Sequence, residues 1–367
     1  MSKYFYITLG LILTVFVFNS CEDDIVLTGE YKETAVIYGL LDQAEPIHYI
    51  KINRAFIGPG NAIDIANIPD SNYFENVYAT VSEILNNDTS RVWILDDTLL
   101  DTKDTNGIFY APTQKVYYFT DASQGALNEA ATYRLDVVIN KGLSNEFSIS
   151  GETELVSGLT SGQSQVSTSF GFIDNNNNLK SASVLVSGTG TAAIVNATVG
   201  VDFYEYIGTS ILDSISYSFN TGEVEVTAPT LSTSIEGKYF FESIRDHCTP
   251  NTSIDKRRMK SITVTLTGGS EVLLNYINAN KPSSTIAQTK PAYTNLTVTN
   301  DKNIVGIFSA RQTVKIVKHF AVAGQTYSCL DQKSRKELCM GQISGVTANL
   351  FFCSDLNFDS NQTWHCP

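Results

Sequence analysis

The chain has 367 residues, 43% of them hydrophobic and 17% charged, with a formal net charge of −13 and a pI near 4.7. That length suits two domains, the apolar content excludes wholesale disorder, and the acidic balance speaks against a phosphate backbone as partner, so no nucleic acid is expected. The shortfall in charge is made up by Ser, Thr, Asn and Gly, a composition common in extracellular β proteins.

The first residues read as an address. Lys3 is the one charge before Cys21, and it is followed by an apolar run from Tyr4 to Phe18 and then Asn19-Ser20-Cys21. A basic start, an apolar segment of about 7–15 residues and small residues before a cut site describe a secretory signal, here 1–20. The run is shorter than the ~20 residues that span a bilayer. A cysteine in this position fits a bacterial lipobox, in which Cys21 is acylated and becomes the first residue of the mature chain. Phe18 departs from the leucine usual three residues before that cysteine. Glu22, Asp23 and Asp24 follow at once, as in an acidic surface-export tag or a solvated tether over 21–33. The expected address is the outer membrane, facing outward, with the lipid supplying the anchorage.

Period-two alternation dominates from there on, and it predicts an all-β, mainly antiparallel fold. Ile50 and Ile52 alternate with Lys51 and Asn53, and Tyr133, Leu135, Val137 and Ile139 share one face opposite Arg134 and Asp136. Val199, Val201 and Phe203 repeat the pattern, as do Ile262, Val264 and Leu266. Turn signals at Asn106-Gly107, Asn220-Thr221-Gly222, Gly268-Gly269 and Asp174 to Asn178 separate these runs. Short strands so joined point to β-sandwiches of immunoglobulin type rather than βαβ units. Two short helices are expected, one from Glu236 to Cys248 with Tyr239, Phe240 and Ile244 on one stripe, and one from Glu271 to Asn278. A Gly/Ser/Thr/Gln-rich stretch over 156–168 reads as a linker between a β domain at 34–155 and a second at 169–320, followed by a cysteine-rich tail at 321–367.

The connection from Phe56 to Phe74 is long for a hairpin and carries Ile63, Ile65 and Ile68, so it is expected to pack on its own domain or on a partner. Of six cysteines, Cys21 is assigned to lipid, while Cys248, Cys329, Cys339, Cys353 and Cys366 are disulfide candidates whose pairing the spacing leaves open. Zinc is the weaker alternative, because CxxC is absent and His365 is the one histidine in the tail cluster. Neither GxSxG, a Walker loop nor HExxH occurs. Gly188-Thr189-Gly190 reads as a turn, His48 as a packing residue in register with Ile50, and His319 as a surface residue. Asp97, Asp101, Asp104 and Asn106-Gly107 miss the calcium-loop pattern because Thr102 stands where an acid or amide is needed, and a hairpin turn accounts for them. No catalytic residue, metal ligand or cofactor is expected.

Several segments together carry a family resemblance: Cys21 with its acidic followers, Val36-Ile37-Tyr38-Gly39, the long loop, Val77-Tyr78-Ala79-Thr80-Val81, Asn106-Gly107-Ile108-Phe109-Tyr110, Tyr133 to Val137, Thr294-Asn295-Leu296 and Asn303 to Ala310 around Gly306. In this order they resemble the Bacteroidota-type surface lipoproteins of unknown function encoded beside TonB-dependent outer-membrane receptors. The resemblance implies a non-enzymatic binding or accessory subunit of a β-barrel receptor, with Ile63, Ile65 and Ile68 as candidate contacts. A stand-alone adhesive protein and a secreted hydrolase are the competing readings.

Overall fold

The structure is a computed structural model that describes residues 33–55, 62–107, 110–162, 168–281, 293–321 and 327–367. Cys21 and the rest of the signal and tether lie outside the described residues. The fold is all-β and mainly antiparallel, built on one eight-stranded sheet and two smaller ones. In chain order the strands are β1 (Thr34–Asp42), β2 (Ile47–Ala55), β3 (Val77–Leu85), β4 (Asp88–Ile94), β5 (Asp96–Leu100), β6 (Gln114–Thr120), β7 (Thr132–Ile139) and β8 (Phe147–Glu154). They continue as β9 (Leu159–Ser161), β10 (Ala182–Thr189), β11 (Ile194–Ile207), β12 (Ser210–Glu225), β13 (Leu231–Ile235), β14 (Lys256–Gly269), β15 (Leu296–Val298) and β16 (Asn303–His319). The helices are α1 (Ala62–Ala66), α2 (Pro69–Asn72), α3 (Gly237–His247), α4 (Glu271–Asn280) and α5 (Gln332–Met340).

The large sheet has the order β12-β11-β14-β16-β1-β2-β6-β5, so it draws strands from both segments flanking the 156–168 stretch. The joint is the parallel pairing of β1 with β16, in register from Thr34 opposite Asn303 to Asp42 opposite Arg311. Gly306 makes that approach possible. It sits at φ +110, where a Cβ would collide with the Ile37 carbonyl, so the backbones meet only because no side chain stands between them.

The five-stranded sheet, β15-β8-β7-β3-β4, closes the first half into a sandwich. Alternation explains its inner face: Tyr133, Leu135, Val137 and Ile139 are fully buried, each contributing about 1.5–3 kcal/mol by leaving water. Trp93 on β4 lies between Phe119 on the large sheet and Tyr133, at ring separations of 5.1 and 6.4 Å. The Tyr133 hydroxyl accepts from the Asn128 amide at 2.6 Å, a corner typical of immunoglobulin-like sandwiches. The three-stranded sheet β13-β10-β9 and α3 are packed into the same continuous core beside the β11 and β14 side chains. There Phe172 stacks on Phe240 at 4.2 Å.

Both expected helices are present. The buried stripe of α3 is Phe240, Phe241 and Ile244, whereas Tyr239 is half exposed, which corrects its expected inward placement. Tyr239 instead meets Phe219 edge-on at 5.2 Å. The expected tight hairpin at Asn106-Gly107 is also corrected: β5 ends at Leu100 and its partner β6 begins at Gln114, so the turn is part of a longer connection. Asp104 still organises it by accepting the Asn106 amide at 2.8 Å.

The tail folds around α5. Asp331 caps the helix by accepting the Ser334 amide at 2.8 Å, and Gly341 ends it at φ +57. Arg335 holds Asp359 through two hydrogen bonds of 2.8 and 2.9 Å, both side chains being buried. A disulfide joins Cys353 to Cys366. Cys248, Cys329 and Cys339 carry free thiols, which removes them from the disulfide candidates. Each is held within packed side chains of the core or at its margin.

Candidate functional site

A hollow of about 400 Å³ opens on the outer face of the large sheet, at the end where β1 turns into β2. Alternation places its walls. Ala35, Ile37 and Leu41 of β1 face the core, so Tyr38 and Leu40 face outward. On β2, Ile50 and Ile52 point inward, and Ile47 and Tyr49 stand 39% and 43% exposed. Tyr118 on β6 extends the aromatic wall, its ring 6.2 Å from that of Tyr49. On the other side the hydroxyls of Tyr38 and Tyr276 meet at 2.8 Å, and burial, added to by this bond, pushes the Tyr38 phenol up to about 12.

The polar end of the hollow is built on Asp42. This buried carboxylate accepts from the Thr313 hydroxyl at 2.6 Å, the Ala44 amide at 3.1 Å and the Arg311 Nε at 3.1 Å. Arg311 is thereby fixed in direction while its side chain stays 40% exposed at the rim. Glu45, also exposed, adds a carboxylate to the lining. His48 forms part of the floor; it is stacked on Phe119 at 4.7 Å, with its Nε2 3.1 Å from Asp121. His48 is therefore a packing residue, as its register implied, with a carboxylate partner that spacing alone did not reveal. Apolar rings with an oriented guanidinium and a carboxylate at the rim suit a small ring-bearing ligand with polar substituents.

The sequence-derived contact residues lie elsewhere. Ile63 and Ile68 are 49% and 50% exposed, and Ile65 is half-buried. Their segment is not an irregular loop but carries α1 and α2. Asn72 fastens it by donating to the carbonyls of Ala66 and Ile68 at 3.0 and 2.8 Å, while the Ala66 carbonyl also accepts the Tyr110 amide at 3.0 Å. The segment follows β2, whose last residue, Ala55, pairs with Thr34, the first residue of β1.

Other acids flagged along the chain serve local structure. Asp101 accepts from Thr113 at 2.8 Å, Asp97 pairs with Lys115 at 3.4 Å, and Asp174 accepts the amides of Asn176 and Asn178 at 2.8 Å. Those amide bonds hold the Asp174 carboxyl below its ordinary range. His319 is exposed at the end of β16. Among the described residues, no group of three or more His, Cys, Asp or Glu converges as a metal site, and no helix is long and apolar enough to cross a membrane.

No protein-family profile and no curated protein matches the chain. Among solved structures, the C-terminal globular domain of an oligosaccharyltransferase from Pyrococcus abyssi is 13% identical, over 62% of this chain and 42% of its own, with a TM-score of 0.20. Trypsin-activated alpha-2-macroglobulin from Escherichia coli is also 13% identical, over 79% of this chain and 15% of its own, with a TM-score of 0.14. The chain thus spans well under two thirds of either protein, and neither likeness bears on activity.

Proposed function

We propose that the chain is a lipid-anchored binding subunit of the outer membrane, displayed on the cell surface and accessory to a TonB-dependent β-barrel receptor. The observation that carries this reading is the N-terminal address, Lys3, Tyr4 to Phe18 and Ser20-Cys21 followed by Glu22-Asp23-Asp24. The polarity of β1 supports it. The strand enters at Thr34, next to the tether, and ends at Asp42 beside the hollow, nine residues or about 25–30 Å further on. The α1–α2 segment follows the end of β2 that pairs with Thr34, where β1 begins, and the Tyr38–Tyr49–Arg311 hollow lies at the other end of the strand. The first is the contact for the receptor, and the second is the ligand-facing end. The work is binding, with Asp42 engaged by Arg311 and Thr313 and His48 engaged by Asp121.

Fractionation and affinity capture test this directly. Cys21→Ser should release the protein from the membrane fraction, since an acyl chain contributes about 0.8 kcal/mol per buried CH₂. The lipidated chain should recover a β-barrel receptor after mild solubilisation, and Ile63→Ser with Ile68→Ser should weaken recovery without altering the fold. Membrane retention of the Cys21→Ser chain would remove the anchor. Recovery of a lone monomer would remove the receptor role, and turnover of a polymer or peptide would put a hydrolase in its place.

A further inference from the structure

The sheets end in six edge strands, and one of them is unlike the rest. β4, β5, β9, β13 and β15 are three to seven residues long. β12 runs for 16 residues at the edge of the eight-stranded sheet, and among the described residues it pairs with β11 alone. Proteins normally protect such edges with lysines, prolines, inward charges or brevity. From Ser214 to Asn220 β12 has none of these: the segment reads Ser-Ile-Ser-Tyr-Ser-Phe-Asn, without charge or proline. It is also held rigidly. Tyr217 stacks on His247 at 3.8 Å and bonds Ser243 at 3.0 Å. The strand is thus a preformed template whose outer row is engaged only by nearby side chains, the Ser214 amide by Asp213, the Gly222 amide by Asn220 and the Thr221 carbonyl by Thr233, contacts that a pairing strand would replace.

We infer that this edge is a dimer interface, on which β12 pairs antiparallel with β12 of a second copy about a two-fold axis at Tyr217. The side chains choose both the occupant and the register. With Tyr217 on the axis, Ser216 faces Ser218 of the second copy, Ile215 faces Phe219, Ser214 faces Asn220 and Asp213 faces Thr221. Hydroxyl meets hydroxyl on the outer face, apolar meets apolar on the inner face, and no acid stands opposite an acid. Moving the axis to Ser218 sets Asp213 against Glu223, a like-charge pair, and moving it to Ser216 sets Asp213 against Phe219 three residues from the axis, whereas the Tyr217 axis keeps its acid–apolar pair, Glu223 with Ile211, six residues out at the strand ends. The product is one continuous sheet, eight strands from each copy. Because each chain carries a net charge of −13, added salt strengthens the association by screening.

Cysteine cross-linking of the full chain in mild detergent tests the register. Ser216→Cys and Ser218→Cys chains oxidised together should yield cross-linked dimer about ten-fold above either variant alone, since only the mixture sets the two thiols directly opposite. The unsubstituted chain, with its own free cysteines, is the background control. In sedimentation the unsubstituted chain should have twice the protein mass of one chain, after correction for bound detergent. Ser216→Lys with Ser218→Lys should return it to one chain mass at an unchanged melting temperature, and Ser216→Ala with Ser218→Ala should leave it dimeric. A monomeric unsubstituted chain, equal cross-linking in mixed and single samples, or a dimer indifferent to the paired lysines would each overturn the inference. So would a one-to-one complex with another protein that the paired lysines abolish, which would make the occupant a foreign strand.

Discussion

Glu83 offers the sharpest test of how the first sandwich is held. Its carboxylate is buried on β3 and accepts from the Ser90 hydroxyl at 2.5 Å, the Tyr133 hydroxyl at 2.7 Å, and Arg91 through both oxygens. Burial pushes the acid up, but the hydrogen bonds from Arg91, Ser90 and Tyr133 and the Arg91 charge outweigh it and bring it from 4.5 down to about 2. A carboxyl depressed in the folded state stabilises the fold above the unfolded value and loses that contribution as pH falls toward the folded one. The full shift corresponds to about 3 kcal/mol at pH 7, of which about 2 kcal/mol is lost by pH 3. Glu83→Gln keeps the shape and removes the titration, leaving Arg91 opposite a neutral amide. The variant should therefore be less stable than the native protein by about 3 kcal/mol at pH 7, and the gap should narrow to about 1 kcal/mol at pH 3. Urea denaturation of both proteins at the two pH values reads this as a difference of differences, cancelling the other carboxylates. Parallel pH profiles would refute the assignment of that acid sensitivity to Glu83.

Three further outcomes follow from the geometry. Gly306→Ala should cost about 3 kcal/mol or more, because the new methyl meets the Ile37 carbonyl at a φ of +110; calorimetry should show a lowered melting temperature, and unchanged melting would disprove the close approach of β1 and β16. Replacing Cys353 and Cys366 together by Ser opens a loop of sequence separation 13, worth about 3 kcal/mol, and should make the tail the first site of limited proteolysis. The thiols of Cys248, Cys329 and Cys339 are pushed up by burial to about 11, 12 and 12, so at pH 8 they should alkylate more slowly than a free cysteine, by about a hundredfold for Cys248 and about a thousandfold for the other two, and become reactive only on unfolding.

Much of the architecture was written locally and could be read without coordinates. The strand faces at Tyr133–Ile139, Val199–Phe203 and Ile262–Leu266 follow from period two alone, and the large apolar residues at those inward positions are fully buried. Both internal helices follow from periodicity and the stop at Lys281-Pro282. The tail helix also carries local start and stop signals, Asp331 three residues before Ser334 and Gly341 beyond the last turn, in a stretch where the cysteines are the stronger signal. The α1–α2 turns were harder, since helices of five and four residues barely show a period.

The hollow had no local signal because its parts come from distant stretches of chain. Tyr38 and Tyr276 are 238 residues apart, Asp42 and Arg311 are 269, and His48 and Asp121 are 73. Alternation tells each of these residues which side of its own strand it occupies, but nothing in a strand names its neighbour. The parallel β1–β16 pairing supplies that information, bringing Arg311 beside Asp42 in the last pair of the register. Tyr38 lies four pairs earlier, opposite Ile307, and α4 on the outer face then sets Tyr276 against it. Gly306, which permits the backbones to meet, thus governs the site without touching it: any change that forced β16 away from β1 would separate Asp42 from Arg311 and dissolve the polar end of the hollow while leaving the tyrosine wall of β2 and β6 in place.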